Sequence, residues 1–174
     1  MKKLLITVIG FVLVVGAGVA IATAKSGPDQ SHVGYANYSL DNVKGLKSKL
    51  SLNLGSWTLK PLIWAASQSD SEEAKFLDNI SGLDVNFYDV NAPTEVITSQ
   101  LGNSLSALEA NGWEKIVAVN DAKEYVRILT LTDGDVFKGV LISVINEREA
   151  IFINVTGSLH NDDLQHLVAM SNEW

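Results

Sequence analysis

Apolar and polar side chains alternate over residues 49–54, with leucines on one side and polar residues on the other. This period of two predicts a half-buried strand, which Gly55 ends. Pro61 then suits the first turn of a short helix that reaches about Ser67. Residues 62–66 are apolar on nearly every side, so we expect this helix to be buried.

A second helix and a second strand follow in the pattern. Ser69 with Glu72 three residues later is typical of a helix N-terminus, because the two side chains can cap free backbone N–H groups. Gly82 stands where a helix C-cap is expected. Residues 83–88 again alternate between apolar and polar side chains, which predicts a strand.

The clearest helical pattern opens at Asn91 and Pro93 and closes at Gly112. Its large apolar side chains fall on one stripe, namely Ile97, Leu101, Leu105 and Leu108.

Four short strands are predicted next, with brief polar connections between them. They cover residues 113–119, 125–132, 136–145 and 151–156, and Asn161 begins a final helix. Asp133-Gly134 is a strong hairpin signal because glycine tolerates a positive φ angle. The order is β-α-α-β-α-β-β-β-β-α, which predicts one α+β domain over residues 38–174. We expect a mostly antiparallel sheet with the helices packed on one face.

The N-terminal pattern differs from the rest of the chain. Lys2 and Lys3 precede an uncharged run over residues 4–24, which ends in small side chains at Ala22 and Ala24. This is the pattern of a secretory signal peptide cleaved before residue 25, and a run of this length is also compatible with an uncleaved membrane anchor. Residues 25–37 are interpreted as a linker. The protein is therefore expected to be exported and periplasmic, or anchored in the inner membrane through residues 4–24.

Composition narrows the classes of partner and chemistry. The 174 residues carry a formal charge of −7, and a net acidic chain repels nucleic-acid phosphates, so we expect no nucleic-acid partner. The chain has no cysteine, which excludes disulfides, thiolate zinc sites, a cysteine nucleophile and a lipid-accepting cysteine.

Histidines and carboxylates give no catalytic constellation. His32 lies in the linker and is expected to be solvated, while His160 and His166 are six residues apart and do not share a helix face. Asp162 or Asp163 with His166 could supply two metal ligands, but no third is visible nearby. Other acids are attributed to turns and to a helix N-terminus, namely Asp133 and Asp135, Glu147 and Glu149, and Asp70, Glu72 and Glu73. No catalytic, cofactor-binding or metal-binding residue is assigned, and no cofactor is expected.

Three other features carry more than one interpretation. Trp57 and Trp64 are seven residues apart, which favours packing in the core over a docking surface for a partner or a membrane. Arg127 is expected at the sheet rim, with an acidic partner or a ligand contact as alternatives. Asn154 is interpreted as architectural, bonding to unpaired backbone groups at a strand end, with Gly157 as a permissive turn residue. The alternative is a ligand-binding Asn154 in a groove.

Several segments, in this order, resemble a bacterial envelope family. They are residues 49–55 running into the Pro61 helix, residues 82–88, Gly112-Trp113-Glu114, Lys138-Gly139 and residues 149–157. Together they resemble the domain of unknown function 4252 (DUF4252) over about residues 35–170. The resemblance implies an exported α+β protein and implies no activity. Many members of that family are lipoproteins, which this cysteine-free chain does not match.

These features favour a non-enzymatic envelope module that binds a protein, with membrane contact only through an uncleaved N-terminal segment. One alternative is a hydrolase that uses carboxylates or a metal. The other is a carrier of a small apolar ligand, in a cavity lined by Phe87, Ile97, Leu101 and Ile153.

Overall fold

The structure is a computed structural model that describes residues 29–38, 40, 43–66, 78–121 and 124–161, without the side chains of residues 62, 63, 65 and 66. The N-terminal segment, the helix predicted from Ser69 and most of the helix predicted from Asn161 lie outside the described residues.

The described elements form one six-stranded antiparallel sheet and two helices, which confirms the α+β class. In chain order they are β1 (Leu46–Gly55), α1 (Ser56–Ala66), β2 (Ile80–Val90), α2 (Thr94–Ala110), β3 (Glu114–Asn120), β4 (Glu124–Asp133), β5 (Val136–Asn146) and β6 (Glu149–Leu159). The strands are ordered β1-β2-β6-β5-β4-β3 across the sheet.

The run of four strands from β3 to β6 is the antiparallel meander that the sequence predicts. Each strand pairs with the next along the chain, and β6 then pairs with β2. Short connections cannot cross the sheet, so consecutive strands become neighbours. Strands β1 and β3 are left at the two edges of the sheet.

The sheet carries apolar side chains on both faces. Leu59 of α1 packs on the face that contains Val85 and Ile153, which we call the α1 face. Ile97 of α2 packs with Phe152, whose side chain lies on the opposite face, here called the α2 face. The prediction that the helices share one face is therefore wrong for these two. Alternation shows which side chains share a face, but it does not show which face a helix covers.

The first helix also differs from its prediction. It begins at Ser56, directly after β1, so Pro61 lies inside it rather than in its first turn. Leu59 is buried, whereas Trp57 and Trp64 are 82% and 69% exposed, so the expected burial of these aromatic side chains is wrong. An apolar sequence favours burial only where another element supplies a surface to pack against.

Two glycines were predicted to follow the C-terminus of a helix, and the structure confirms one of them. Gly112 ends α2 with a φ of 90°, as the sequence predicts. Gly82 is not a helix C-cap. It lies inside β2, opposite Gly55 on one side and Thr156 on the other.

Gly134 is predicted to be needed for the β4–β5 hairpin. Its φ is 60°, and Asp133 pairs with Val136 across the turn. Replacing Gly134 by valine should lower the free energy of unfolding by about 1–2 kcal/mol, because a β-branched residue is strained in this region. Chemical denaturation measures the change. Gly102→Ala on α2, where a Cβ would meet nothing within 4 Å, is the control and should stabilise by about 0.5–1 kcal/mol. Equal stability of Gly134→Val and the parent would contradict the turn geometry.

Candidate functional site

A segment before β1 crosses the α2 face, and its described residues 34–38, 40 and 43 are called the strap. Ala36, Leu40 and Val43 of the strap are buried among side chains that also contact α2. The segment predicted as a linker thus includes residues that are packed against the sheet.

Asn154 on β6 holds the strap through its side-chain amide, which is buried. Its Oδ1 accepts a hydrogen bond from the Ala36 N–H at 2.9 Å. Its Nδ2 donates to the Gly34 carbonyl at 3.2 Å and to the Val140 carbonyl of β5 at 3.1 Å. These bonds tie the strap to the sheet, so the architectural interpretation of Asn154 fits the structure, although Asn154 lies within β6 and not at its end. The backbone groups belong mainly to the strap and not to the turn after β6.

Glycines allow the backbones to approach one another around this contact. A Cβ on Gly34 would lie 1.7 Å from the Lys138 carbonyl oxygen, and one on Gly139 would lie 2.3 Å from the Gly34 carbonyl oxygen. Gly157 has the same role, since its Cβ would lie 2.1 Å from the carbonyl oxygen of Asn79. Close packing, rather than backbone permissiveness in a turn, explains Gly157.

A chain of polar side chains runs from the β1 edge into the sheet on the α2 face. Asn53 donates to the Ser51 hydroxyl at 3.1 Å, and this hydroxyl donates to Asn86 Oδ1 at 2.7 Å. Asn86 Nδ2 then donates to Asp84 Oδ1 at 2.9 Å. The chain connects two exposed β1 side chains to a carboxyl that is only 6% exposed.

Burial dominates the electrostatics of this chain. It raises the pKa of the Asp84 carboxyl, while the hydrogen bond from Asn86 acts in the opposite direction. Burial, and then the Asp84 charge, also raise the pKa of the Tyr35 and Tyr38 phenols of the strap. Asp84 therefore binds a proton more readily in the folded chain than in water.

The β1 strand presents an open edge beside this chain. It pairs with β2 on one side, and the five residues 47–51 are exposed one after another. The register against β2 shifts between Ser48 and Leu50, and beyond this irregularity Leu50 pairs with Phe87 of the α1 face and Ser51 with Asn86 of the α2 face, so the stretch is uncovered on both faces. The Nζ atom of Lys49 lies 3.5 Å from Asp89 Oδ1 and 3.6 Å from Glu149 Oε1. The next residue, Leu50, is 49% exposed.

A cleft of about 150 Å³ lies between α2 and strands β3 and β4. Arg127 in its wall stacks on the Tyr125 ring at 4.1 Å and donates to the carbonyls of Val119 and Val126. No acid pairs with Arg127 in the described part of the chain. The cleft is smaller than the roughly 300–1,000 Å³ of pockets that enclose small ligands.

The histidines and acids considered from the sequence do not come together. His32 is half-buried rather than solvated, and its Nδ1 accepts the Gly34 N–H at 3.0 Å. His160 is exposed just after β6. The turn acids are also exposed, namely Asp133, Asp135, Glu147 and Glu149. His166, Asp162, Asp163, Asp70, Glu72 and Glu73 lie outside the described residues.

The cavity expected for an apolar ligand cannot be lined as the sequence suggested. Phe87 and Ile153 are on the α1 face, whereas Ile97 and Leu101 pack on the α2 face. The sheet itself separates the two pairs.

Four residues of this chain were not predicted as site residues from the sequence, namely Asp84, Asn86, Ser51 and Asn53. Their signal was present, because each falls at a polar position of an alternating strand. That alternation normally indicates a solvent-facing side. Here the strap covers part of the polar side, and Asp84 becomes buried.

No helix among the described residues combines the length and apolar character that crossing a bilayer requires. Within the same residues, no three histidine, aspartate or glutamate side chains are grouped so that they could hold a metal ion.

A family model described as "Domain of unknown function (DUF4252)" matches residues 44–167 of the chain. No curated protein and no solved structure matches it. The matched residues begin directly after the strap and include all six strands and both described helices.

The contacts of Asn154 predict a specific loss of stability. Asn154→Ala removes three buried hydrogen bonds to the backbone of the strap and of β5, which should cost about 1–3 kcal/mol of unfolding free energy. Thermal and chemical denaturation measure this cost. Asn103→Ala, at an exposed position of α2, is the matched control and should change stability by less than about 0.5 kcal/mol. If Asn154→Ala melts like the parent but loses a binding partner, the residue belongs to a binding site.

The raised pKa of Asp84 predicts that Asp84→Asn increases the stability of the fold by an amount that depends on pH. Because the pKa of Asp84 is higher in the folded state, protonation of its carboxyl stabilises the folded state. This contribution to the free energy of unfolding is lost as the pH rises from about 4 through the raised pKa. Asparagine stays neutral and can still accept the Asn86 hydrogen bond. We expect Asp84→Asn to be more stable than the parent at pH 7, with the difference shrinking toward pH 3. Melting curves across this range provide the measurement, and a constant difference at every pH would refute the titration of Asp84.

Proposed function

The chain belongs to the DUF4252 family, and from this membership and its open edge strand we propose that it is an exported envelope protein that binds another protein by strand addition at β1. The observation that carries the proposal is the exposure of residues 47–51 on both faces of an edge strand.

Backbone geometry supports β1 as the binding edge. An edge strand offers a row of N–H and C=O groups, and an extended partner segment can complete the ladder. β1 has ten residues, whereas the other edge strand, β3, has seven. On β3, the Val119 carbonyl already accepts a hydrogen bond from Arg127 at 2.8 Å. The longer edge therefore offers the partner more backbone groups.

Side chains on β1 suggest the chemistry of the partner segment. Lys47 is an exposed positive charge, so an acidic residue opposite it would gain a favourable pair, whereas Lys49 already pairs with Asp89 and Glu149. Leu50 adds an apolar contact, and Ser51 with Asn53 can bond to polar side chains of an added strand. Lys47 also disfavours pairing with a second copy of β1, because like charges oppose edge-to-edge association.

Location outside the cytoplasm is part of the same proposal. Lys2 and Lys3, the uncharged residues 4–24 and the small side chains at Ala22 and Ala24 support export, with either cleavage or anchoring as the outcome. The absence of cysteine suits a compartment in which free thiols would be oxidised.

Site-specific photocrosslinking in cells that naturally produce the protein tests the binding edge. A photoreactive amino acid at Leu50 should give a discrete protein adduct, because an added strand would lie in direct contact with this side chain. The same probe at Ile116 on β3, which is 55% exposed, is the matched control and should give none. The Lys47→Glu change should reduce the Leu50 adduct at least several-fold. Absence of an adduct at Leu50, or equal adducts at both edges, would contradict strand addition at β1.

A further inference from the structure

Helix α1 presents two large aromatic side chains to solvent. Trp57 is 82% exposed and Trp64 is 69% exposed, and they lie seven residues, or about two turns, apart on the helix. Seven-residue spacing places both near one stripe of the helix. Exposed apolar surface of this size is uncommon unless it contacts something else.

The charge on this stripe is positive although the chain as a whole is acidic. Lys60 is the one charged residue of α1, and its Nζ lies 5.9 Å from the centre of the Trp57 ring. Tryptophan is enriched where a membrane meets water, because its ring is apolar and its N–H is polar. Lysine beside it can bury its methylene groups and keep its ammonium among lipid phosphates. We call the surface formed by Trp57, Lys60 and Trp64 the tryptophan face.

The position of the tryptophan face relative to the N-terminus gives an independent argument. Gly34 contacts the backbone at Gly139 of β5. Gly139 belongs to a row of paired residues that crosses the sheet in three steps, to Thr156 of β6, Gly82 of β2 and Gly55 of β1. At about 4.8 Å a step, this row is roughly 14 Å long. Since α1 starts directly after Gly55, the N-terminal end of the described chain and α1 lie at the same end of the sheet.

Only a short stretch of chain separates the apolar N-terminal run from the described structure. Four residues, 25–28, separate the apolar run at residues 4–24 from Asp29, where the described structure begins, and they span at most about 14 Å. A bilayer that held residues 4–24 would therefore lie within reach of this end of the sheet.

We propose that the tryptophan face of α1 docks on the lipid bilayer surface, so that the domain stands with this end of the sheet on the membrane. The tryptophan rings lie at the boundary between headgroups and acyl chains, and the Lys60 ammonium lies among the phosphates. Exposed Asp29, Asp133 and Asp135 belong to the same end, so burial of the rings, rather than attraction to anionic lipid, drives the contact.

This contact uses a different surface from the proposed protein-binding edge. Lys49 on β1 is six residues from Gly55, about 20 Å along the strand. The exposed stretch of β1 would thus remain accessible while α1 rests on lipid, and either proposal can fail without the other.

Quenching by brominated lipid tests the docking on the full chain. The full chain with Trp174→Phe is incorporated into phosphatidylcholine vesicles, with or without bromine on the acyl chains, and retains Trp57, Trp64 and Trp113. Bromine quenches only rings in contact with the lipid, and Trp113 is 5% exposed in the core. We expect bromination to remove about half of the tryptophan emission, because two of the three rings lie on the tryptophan face.

Matched variants separate docking from insertion of residues 4–24. Trp57→Ser with Trp64→Ser should abolish most of the quenching while the unchanged Trp113 emission reports an intact fold. Leu50→Ser with Val96→Ser removes two other exposed apolar side chains and should leave the quenching as in the parent. Parent emission that bromination does not change, or equal quenching in the double tryptophan variant, would overturn the proposal.

Discussion

The side-chain amide of Asn154 is the interaction on which the arrangement of the α2 face depends. One group bonds to the backbone of Gly34, Ala36 and Val140, and so joins the strap, β6 and β5. A side chain with both a donor and an acceptor is required, because the three partners include an N–H and two carbonyls. The glycine pair Gly34 and Gly139 then allows the two backbones to approach closely enough for these bonds to form.

The held strap changes the chemistry of the neighbouring strands. With Tyr35 and Tyr38 beside it, Asp84 becomes a buried carboxyl with a raised pKa instead of a solvated strand residue. A hydrogen-bond chain through Asn86 and Ser51 connects it to the β1 edge.

The two proposed contacts lie toward opposite ends of the sheet. The tryptophan face follows Gly55 at one end of β1, and the exposed stretch around Lys49 approaches the other. A domain that rests on a membrane through the first surface would present the second away from it. The fold suits this division because each strand of the sheet connects both ends as a rigid, hydrogen-bonded element.

The sequence alone determined the strands of the meander, the α2 helix with its stripe of Ile97, Leu101 and Leu108, and the turn at Gly134. These features depend on short-range periodicity and on backbone preferences, which a few neighbouring residues specify. It did not determine that α1 and α2 pack on opposite faces, that Asp84 is buried, or that Trp57 and Trp64 are exposed. Each of these depends on which distant segment covers a given surface. Ala36 and Asn154, for example, are 118 residues apart in the chain and are brought together only by the completed sheet.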